Sequence, residues 1–187
     1  VVIVDGMEYQ GAEYNITALD ANAFAGNTSL TSIDMRQSSV SSIGRNCFNG
    51  CTSLSSVHFS ESSITNMLYG GVFAGCTSLT QLYVPSIHLS SRYSNSPFSR
   101  SSIQELTIDQ LSSTGIKSNL LNNMPDGFTL NLPGDISSNA LVATTFGTTK
   151  NVTLNLGTQE DVDHYTSVFE GKDVNVQLYG SGEDTTM

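Results

Sequence analysis

The chain has 187 residues, 38% of them hydrophobic and 13% charged, with a net charge of −10 at pH 7. It contains no apolar run long enough to span a membrane as a helix, and its 7 basic residues are scattered among 17 acidic ones, which disfavours nucleic acid and anionic membrane surfaces as partners. Ser, Thr and Asn fill the gap left by charge, a balance that suits a thin repeat core under a polar surface and not the highly charged pattern of disorder.

Val1-Val2-Ile3-Val4, then Asp5-Gly6, then Met7-Glu8-Tyr9 carries a hairpin signal, because Asp-Gly supplies the positive φ angles of a two-residue turn. Residues 1–14 are therefore expected to form a capping hairpin over the open end of a coil. The chain begins at Val1, so a trimmed or mature form is expected, with any signal peptide or anchor already removed.

Residues 16–85 hold a repeat. Ala23-Phe24-Ala25-Gly26-Asn27-Thr28-Ser29-Leu30 returns as Cys47-Phe48-Asn49-Gly50-Cys51-Thr52-Ser53-Leu54 and again as Val72-Phe73-Ala74-Gly75-Cys76-Thr77-Ser78-Leu79. Phe24 and Phe48 are 24 residues apart, Phe48 and Phe73 25. A fixed period of this length is the signature of a solenoid. Each repeat opens on an apolar pair (Ile16 and Leu19, Val40 and Ile43, Ile64 and Met67), passes a short turn at Phe, and ends in alternating apolar and polar residues. That alternation predicts a strand with one face buried. The strand phase continues past the clear repeats, with first residues at 33, 57, 82, 106, 130 and 154. Phe98 follows Phe73 by 25, and Val174–Leu178 supplies a seventh strand at a different spacing. Ile116–Leu121 resembles Ile136–Leu141, and both suggest short helices. Thr158-Gln159-Glu160-Asp161 is an N-cap signal, Val162, Tyr165, Val168 and Phe169 recur at helical spacing, and Gly171 stops the helix.

The expected fold is a right-handed α/β solenoid: a parallel sheet of about seven short strands on one face, turns and short helices on the other. Residues 15–179 form one domain, with 158–179 as its C-terminal cap and 180–187 as an acidic tail.

Three cysteines make no disulfide framework. Cys51 and Cys76 share the repeat position of Asn27, and Cys47 that of Ala23 and Val72, so small buried thiols and a buried Asn27 are expected. Cys47-x-x-x-Cys51 lacks the CxxC or His pair of a zinc site.

With the motif Ala-Phe-x-Gly-Cys-Thr-Ser-Leu-Thr-x-Leu-x-Val-Pro in view, the chain resembles BspA-type leucine-rich-repeat proteins, a class of bacterial surface and secreted proteins. Residues 16–85 match closely and 87–178 match by phase, but Gly-Cys-Thr-Ser-Leu is missing after Phe98. The resemblance implies a leucine-rich-repeat coil, an extracellular or cell-surface location, and adhesion through the sheet. It implies no enzyme activity, no catalytic residues and no cofactor.

The outward strand positions make two stripes. One holds Asp34, His58, Tyr83, Thr107, Asn131 and Asn155, with Asn175 as its continuation. The other holds Ser32, Ser56, Gln81, Glu105, Thr129 and Thr153, continued by Gln177. The candidate ligand-binding residues are Asp34, His58, Tyr83, Gln81, Glu105, Thr107, Asn131 and Asn155. Amides and hydroxyls there suit sugar hydroxyls or peptide backbone, and Tyr83 offers flat apolar area. The competing reading is that any sheet face in water is polar.

Ser56, His58 and Asp34 invite comparison with a catalytic triad, but the open face offers no buried carboxylate and no oxyanion donors. Glu160, Asp161, Asp163 and His164 match no calcium loop, and acidic residues at a helix start complement its dipole. The N-x-[ST] matches at Asn15, Asn27 and Asn151 carry little weight in a bacterial protein. The sequence thus points to a monomeric, non-enzymatic surface or secreted module that binds a protein or glycan, without metal or cofactor. The alternative is a spacer that displays another domain and has no ligand of its own.

Overall fold

A computed structural model describes residues 1–59, 66–67, 70–87, 96–111, 116, 121, 124–134, 136 and 140–180. The strands, in chain order, are β1 (Val2–Val4), β2 (Met7–Tyr9), β3 (Ala12–Tyr14), β4 (Ala18–Leu19), β5 (Ser32–Gln37), β6 (Ser42–Ile43) and β7 (Ser56–His58). They continue as β8 (Asn66–Met67), β9 (Gln81–Ile87), β10 (Glu105–Leu111), β11 (Thr129–Leu132) and β12 (Val152–Leu156). Helix α1 (Gln159–Val168) and β13 (Val174–Leu178) complete the fold.

The chain is a parallel β-solenoid. Its sheet face is built from two parallel sheets, β1-β5-β7 and β13-β12-β11-β10-β9. Every strand placed by the sequence phase is present. Alternation explains their burial: Ile33, Met35, Leu106, Ile108, Leu130, Leu132, Leu154 and Leu156 point inward and are almost fully buried. Removing each such side chain from water is worth roughly 1.5–3 kcal/mol. The back of the coil carries the short parallel ladder β4-β6-β8 and a row of turns.

Those turns stack in register. Phe48 N–H donates to the Val72 carbonyl at 2.9 Å and Phe73 N–H to that of Pro97 at 2.8 Å. Gly26, Gly50 and Gly75 sit at φ +73°, +72° and +71°, left-handed values that glycine takes without a Cβ penalty. The rings follow the backbone. Phe24, Phe48, Phe73 and Phe98 stack within about 11° of parallel, at centroid spacings of 5.4, 5.4 and 6.4 Å. Beyond Phe98 the stack loses its regularity, and Phe128 and Phe146 tilt by 56°.

The N-terminal hairpin forms elsewhere than the sequence suggests. β1 pairs in parallel with β5, Val2 opposite Asp34. The antiparallel hairpin is β2–β3, and its turn residues Gln10 and Gly11 sit at φ +53° and +76°. Pairing with β5 buries Ile3 in the core and satisfies a strand edge, which a hairpin between Val1–Val4 and Met7–Tyr9 could not do.

Near the C-terminal end α1 packs against β12 and β13. Thr158 Oγ1 accepts from Asp161 N at 3.1 Å, capping the helix, and Glu160 and Asp161 lie in the first turn, where the dipole favours them. Tyr165 is fully buried, and its hydroxyl accepts from the Ala140 and Leu141 amides at 3.1 and 3.3 Å. Burial raises its pKa. Among the described residues α1 is the only helix. The short helices expected over 116–121 and 136–141 fall largely outside the described residues, as does most of the acidic tail at 180–187.

The N-terminal end is open by comparison. Val1, Val2, Met7, Tyr9 and Tyr14 are all more than half exposed, and Phe24 is only half-buried. Asn27 is exposed, not buried as its repeat position suggested, since among the described residues no turn lies over it as Phe24 and Phe48 lie over Cys51 and Cys76. Its Oδ1 instead accepts from the Ser29 and Leu30 amides of its own loop, both at 3.0 Å. The thiols at the equivalent positions behave as expected. Cys51 Sγ donates to the Phe24 carbonyl at 3.0 Å and Cys76 Sγ to the Phe48 carbonyl at 3.1 Å. Burial pushes Cys47 and Cys76 up to about 12 and raises Cys51, so all three stay protonated at neutral pH. At the next position Ser101 is too short to copy this contact, and its Oγ is buried without a partner.

Candidate functional site

The sheet face is not one continuous ladder. β7 lies beside β9, yet among the described residues no strand pairing joins them, so the face divides there into its two sheets. This seam coincides with the single 25-residue step in the strand phase, from Val57 to Leu82. The extra residue is taken up ahead of the turn, since Phe48 to Val57 and Phe73 to Leu82 are both nine residues and the two turns stay in register, so it does not by itself offset β9 from β7.

A cleft of about 420 Å³ lies at the seam, lined by Ser55, Ser56, Val57, His58, Gln81, Leu82, Tyr83, Glu105 and Thr107. Five of the sequence-derived candidates, His58, Gln81, Tyr83, Glu105 and Thr107, meet there. Register explains the grouping: Glu105 is opposite Gln81 and Thr107 opposite Tyr83, so two stripes converge on one opening.

The side chains are tied to one another. Ser56 Oγ and His58 Nε2 are 2.8 Å apart. Gln81 Nε2 donates to Glu105 Oε2 at 2.9 Å. Asn131 Nδ2 donates to Glu105 Oε1 at 2.8 Å and to Thr107 Oγ1 at 3.0 Å. Asn155 Nδ2 donates to Asn131 Oδ1 at 2.6 Å. The result is a chain of hydrogen bonds across four strands, Gln81–Glu105–Asn131–Asn155. Asn131 is 3% exposed, so it and Asn155 brace the cleft from behind more than they line it.

Asp34 stands apart. It faces His58 across β5 and β7, but both of its carboxylate oxygens bond Arg36, at 3.0 and 2.6 Å. That contact holds its carboxyl well below the usual carboxylate range. Asp34 is therefore beside the cleft and not in its lining. Ser56 and His58 are within hydrogen-bond reach, closer than strand spacing alone suggests, while the carboxylate that would complete a triad is turned to Arg36. At the far edge of the sheet, Asn155 pairs with Gln177 and Thr153 with Asn175, the reverse of the expected assignment. The step from Leu154 to Val176 is shorter than the repeat and exchanges the two stripes.

Asp109 was missed by sequence reading. Its carboxylate accepts a short hydrogen bond from the Tyr83 hydroxyl, tethering the cleft's one aromatic ring. The signal was present: Asp109 follows Thr107 by two on β10 and so shares its face. Among the described residues, no three His, Cys, Asp or Glu side chains come together as a metal-binding group. Asp161 and Asp163 are engaged locally, with Thr158 and Gln159 respectively.

No curated protein matches the chain at a significant level. Among solved structures it is similar to the crystal structure of the pneumococcal vaccine antigen PcpA, with a TM-score of 0.54 and 14% identity. The match covers 91% of this chain and 43% of that one, so the chain spans less than half of that protein's length, and at this identity the likeness concerns the fold. The BspA type leucine rich repeat region model matches in six copies over residues 11–126, more than half of the sequence. It takes in the clear repeats together with the irregular connectors after Phe98. With the repeat, the coil and the stacked phenylalanine turns in agreement, the chain belongs to the BspA-type leucine-rich repeat family.

Proposed function

We propose that this chain is a non-enzymatic, cell-surface or secreted recognition module that binds a protein or glycan ligand, in an adhesive role, through its sheet face. The observation that carries this reading is the seam cleft. It gathers exposed His58, Gln81 and Tyr83 with half-buried Glu105 and Thr107, and it holds them in a hydrogen-bonded array. A polar surface needed only for solubility requires no such bracing, whereas a binding site gains affinity from pre-organised partners. Family membership supports the surface location, and the charge of −10 supports a partner other than nucleic acid or an anionic membrane. The module acts as a monomer.

Binding to immobilised extracellular-matrix proteins and to a glycan array tests the proposal. His58→Ala and Tyr83→Ala should each weaken binding by about tenfold while leaving the melting temperature close to that of the parent. Glu105→Ala should weaken binding as much with some loss of stability, because the buried Asn131 amide loses an acceptor. Binding that survives all three substitutions unchanged would remove the sheet face from the account. Absence of binding in both formats is what a display spacer predicts.

A further inference from the structure

The cleft's own chemistry narrows the ligand, on the reading that the sheet face binds one. Its volume of about 420 Å³ falls in the range of small-ligand sites, roughly 300–1,000 Å³. No Lys or Arg is among the described residues that line it. Phosphate, sulfate or a carboxylate would therefore enter without the cation that normally pairs with such groups. The one carboxylate is already engaged: Glu105 accepts from Gln81 at one oxygen and from Asn131 at the other. A lysine or arginine of a peptide would have to displace both amides to pair with it.

Beside these bonds and the Ser56–His58 and Asn131–Thr107 contacts, the same groups keep further donor and acceptor capacity within a small area. Ser56 and Thr107 offer hydroxyls, His58 an imidazole, and Gln81 an amide oxygen. Glu105 keeps unused lone pairs because a carboxylate offers about four acceptor positions. Beside them Tyr83 stays 50% exposed, with its hydroxyl tethered to Asp109. A ring held this way can bury a flat apolar surface, and it costs little ordering entropy on binding. Hydroxyl-sized polar partners next to one aromatic ring complement a ligand that alternates hydroxyl groups with a C–H face.

We propose that the β7–β9 cleft is a carbohydrate subsite for one or two uncharged pyranose rings. Tyr83 is the stacking platform. Gln81, Glu105 and Ser56 are the hydroxyl partners. Asn131 and Asp109 are positioning residues that hold Glu105 and Tyr83.

The test uses the whole chain and a panel of chitobiose, lactose, maltose and mannobiose, with sialyllactose as an anionic probe and a lysine-rich peptide as a cationic one. Saturation-transfer NMR and calorimetry report binding. At least one uncharged disaccharide should bind, roughly tenfold more weakly to Tyr83→Ala than to the parent. Tyr83→Phe, which keeps the ring but loses the Asp109 tether, should bind between the parent and Tyr83→Ala and controls for a fold defect. Transfer to the sugar C–H protons should be lost in Tyr83→Ala. Binding of the anionic or cationic probe alone overturns the proposal, as does sugar binding indifferent to Tyr83→Ala. If no sugar binds while a protein ligand still depends on His58 and Tyr83, the sugar inference falls and the recognition-module reading stands. If nothing binds, both fall.

Discussion

Phe48 lies between Phe24 and Phe73, 5.4 Å from each ring centroid, and is fully buried. Its position repeats because the backbone does: adjacent turns bond to each other, and the rings inherit their spacing. Phe48→Ala should cost about 3–5 kcal/mol, since the neighbouring rings are held by their own turns and cannot collapse into the gap. Phe24→Ala should cost clearly less, because Phe24 is only half-buried. Urea melts of the two variants check this, and equal losses would mean that the N-terminal turn is covered in solution. At this scale the sequence was readable wherever a residue recurs. Phe98, Cys51 and Cys76 take the places their period assigns. Asn27 does not, because burial depends on a preceding turn, and position within a repeat says nothing about which repeat is first. The Ser56–His58 contact was also beyond reach, since it depends on side-chain rotamers that strand spacing does not determine.

Among the elements, β1 shows how two local signals compete. Asp5-Gly6 reads as a turn, yet Val2–Val4 gains more as a parallel neighbour of β5, where Ile3 reaches the core. Asp5 then fastens the strand: its Oδ1 accepts from Ser39 N at 2.9 Å, and its Oδ2 accepts a short hydrogen bond from Ser39 Oγ. These bonds, the side-chain one foremost, lower the Asp5 pKa. A carboxyl whose folded pKa lies below its unfolded one stabilises the fold above the unfolded value, about pH 4, and that stability is lost as pH falls through the folded value. Asp5→Asn should therefore be less stable than the parent at pH 7, and the difference should shrink towards pH 3. Paired denaturant melts at the two pH values measure it, and a gap that widens in acid would contradict the tether. Helix α1 was legible for the opposite reason, because its signals agree. Thr158 caps, Glu160 and Asp161 suit the dipole, and Tyr165 and Phe169 share the buried face.

For the molecule as a whole, a coil in which each turn touches only its neighbours should unfold from its less protected end. Near the C-terminal end α1 packs against β12 and β13 and buries Tyr165 and Phe169, whereas the N-terminal end leaves five large apolar side chains more than half exposed. Native-state hydrogen exchange should find amides of β10, β11 and β12, which have partners on both sides, outlasting those of β1 and the β2–β3 hairpin. Uniform protection along the coil would contradict this order. The solenoid itself was legible because a period survives substitution of nearly every residue within it. The cleft was not, because it comes from a break in the backbone ladder, and the strand phase places β9 after its turn just as it places β7 after its own. That break has a mechanical side. On the back of the coil the same two repeats stay stitched, through Phe48 N–H to Val72 O, Gly50 N–H to Ala74 O, and the β6–β8 pair. At this one junction the coil is bound like a book, stitched along the turn face and without a described ladder on the sheet face. Bending that opens the sheet face should therefore concentrate at the seam and widen the mouth of the cleft.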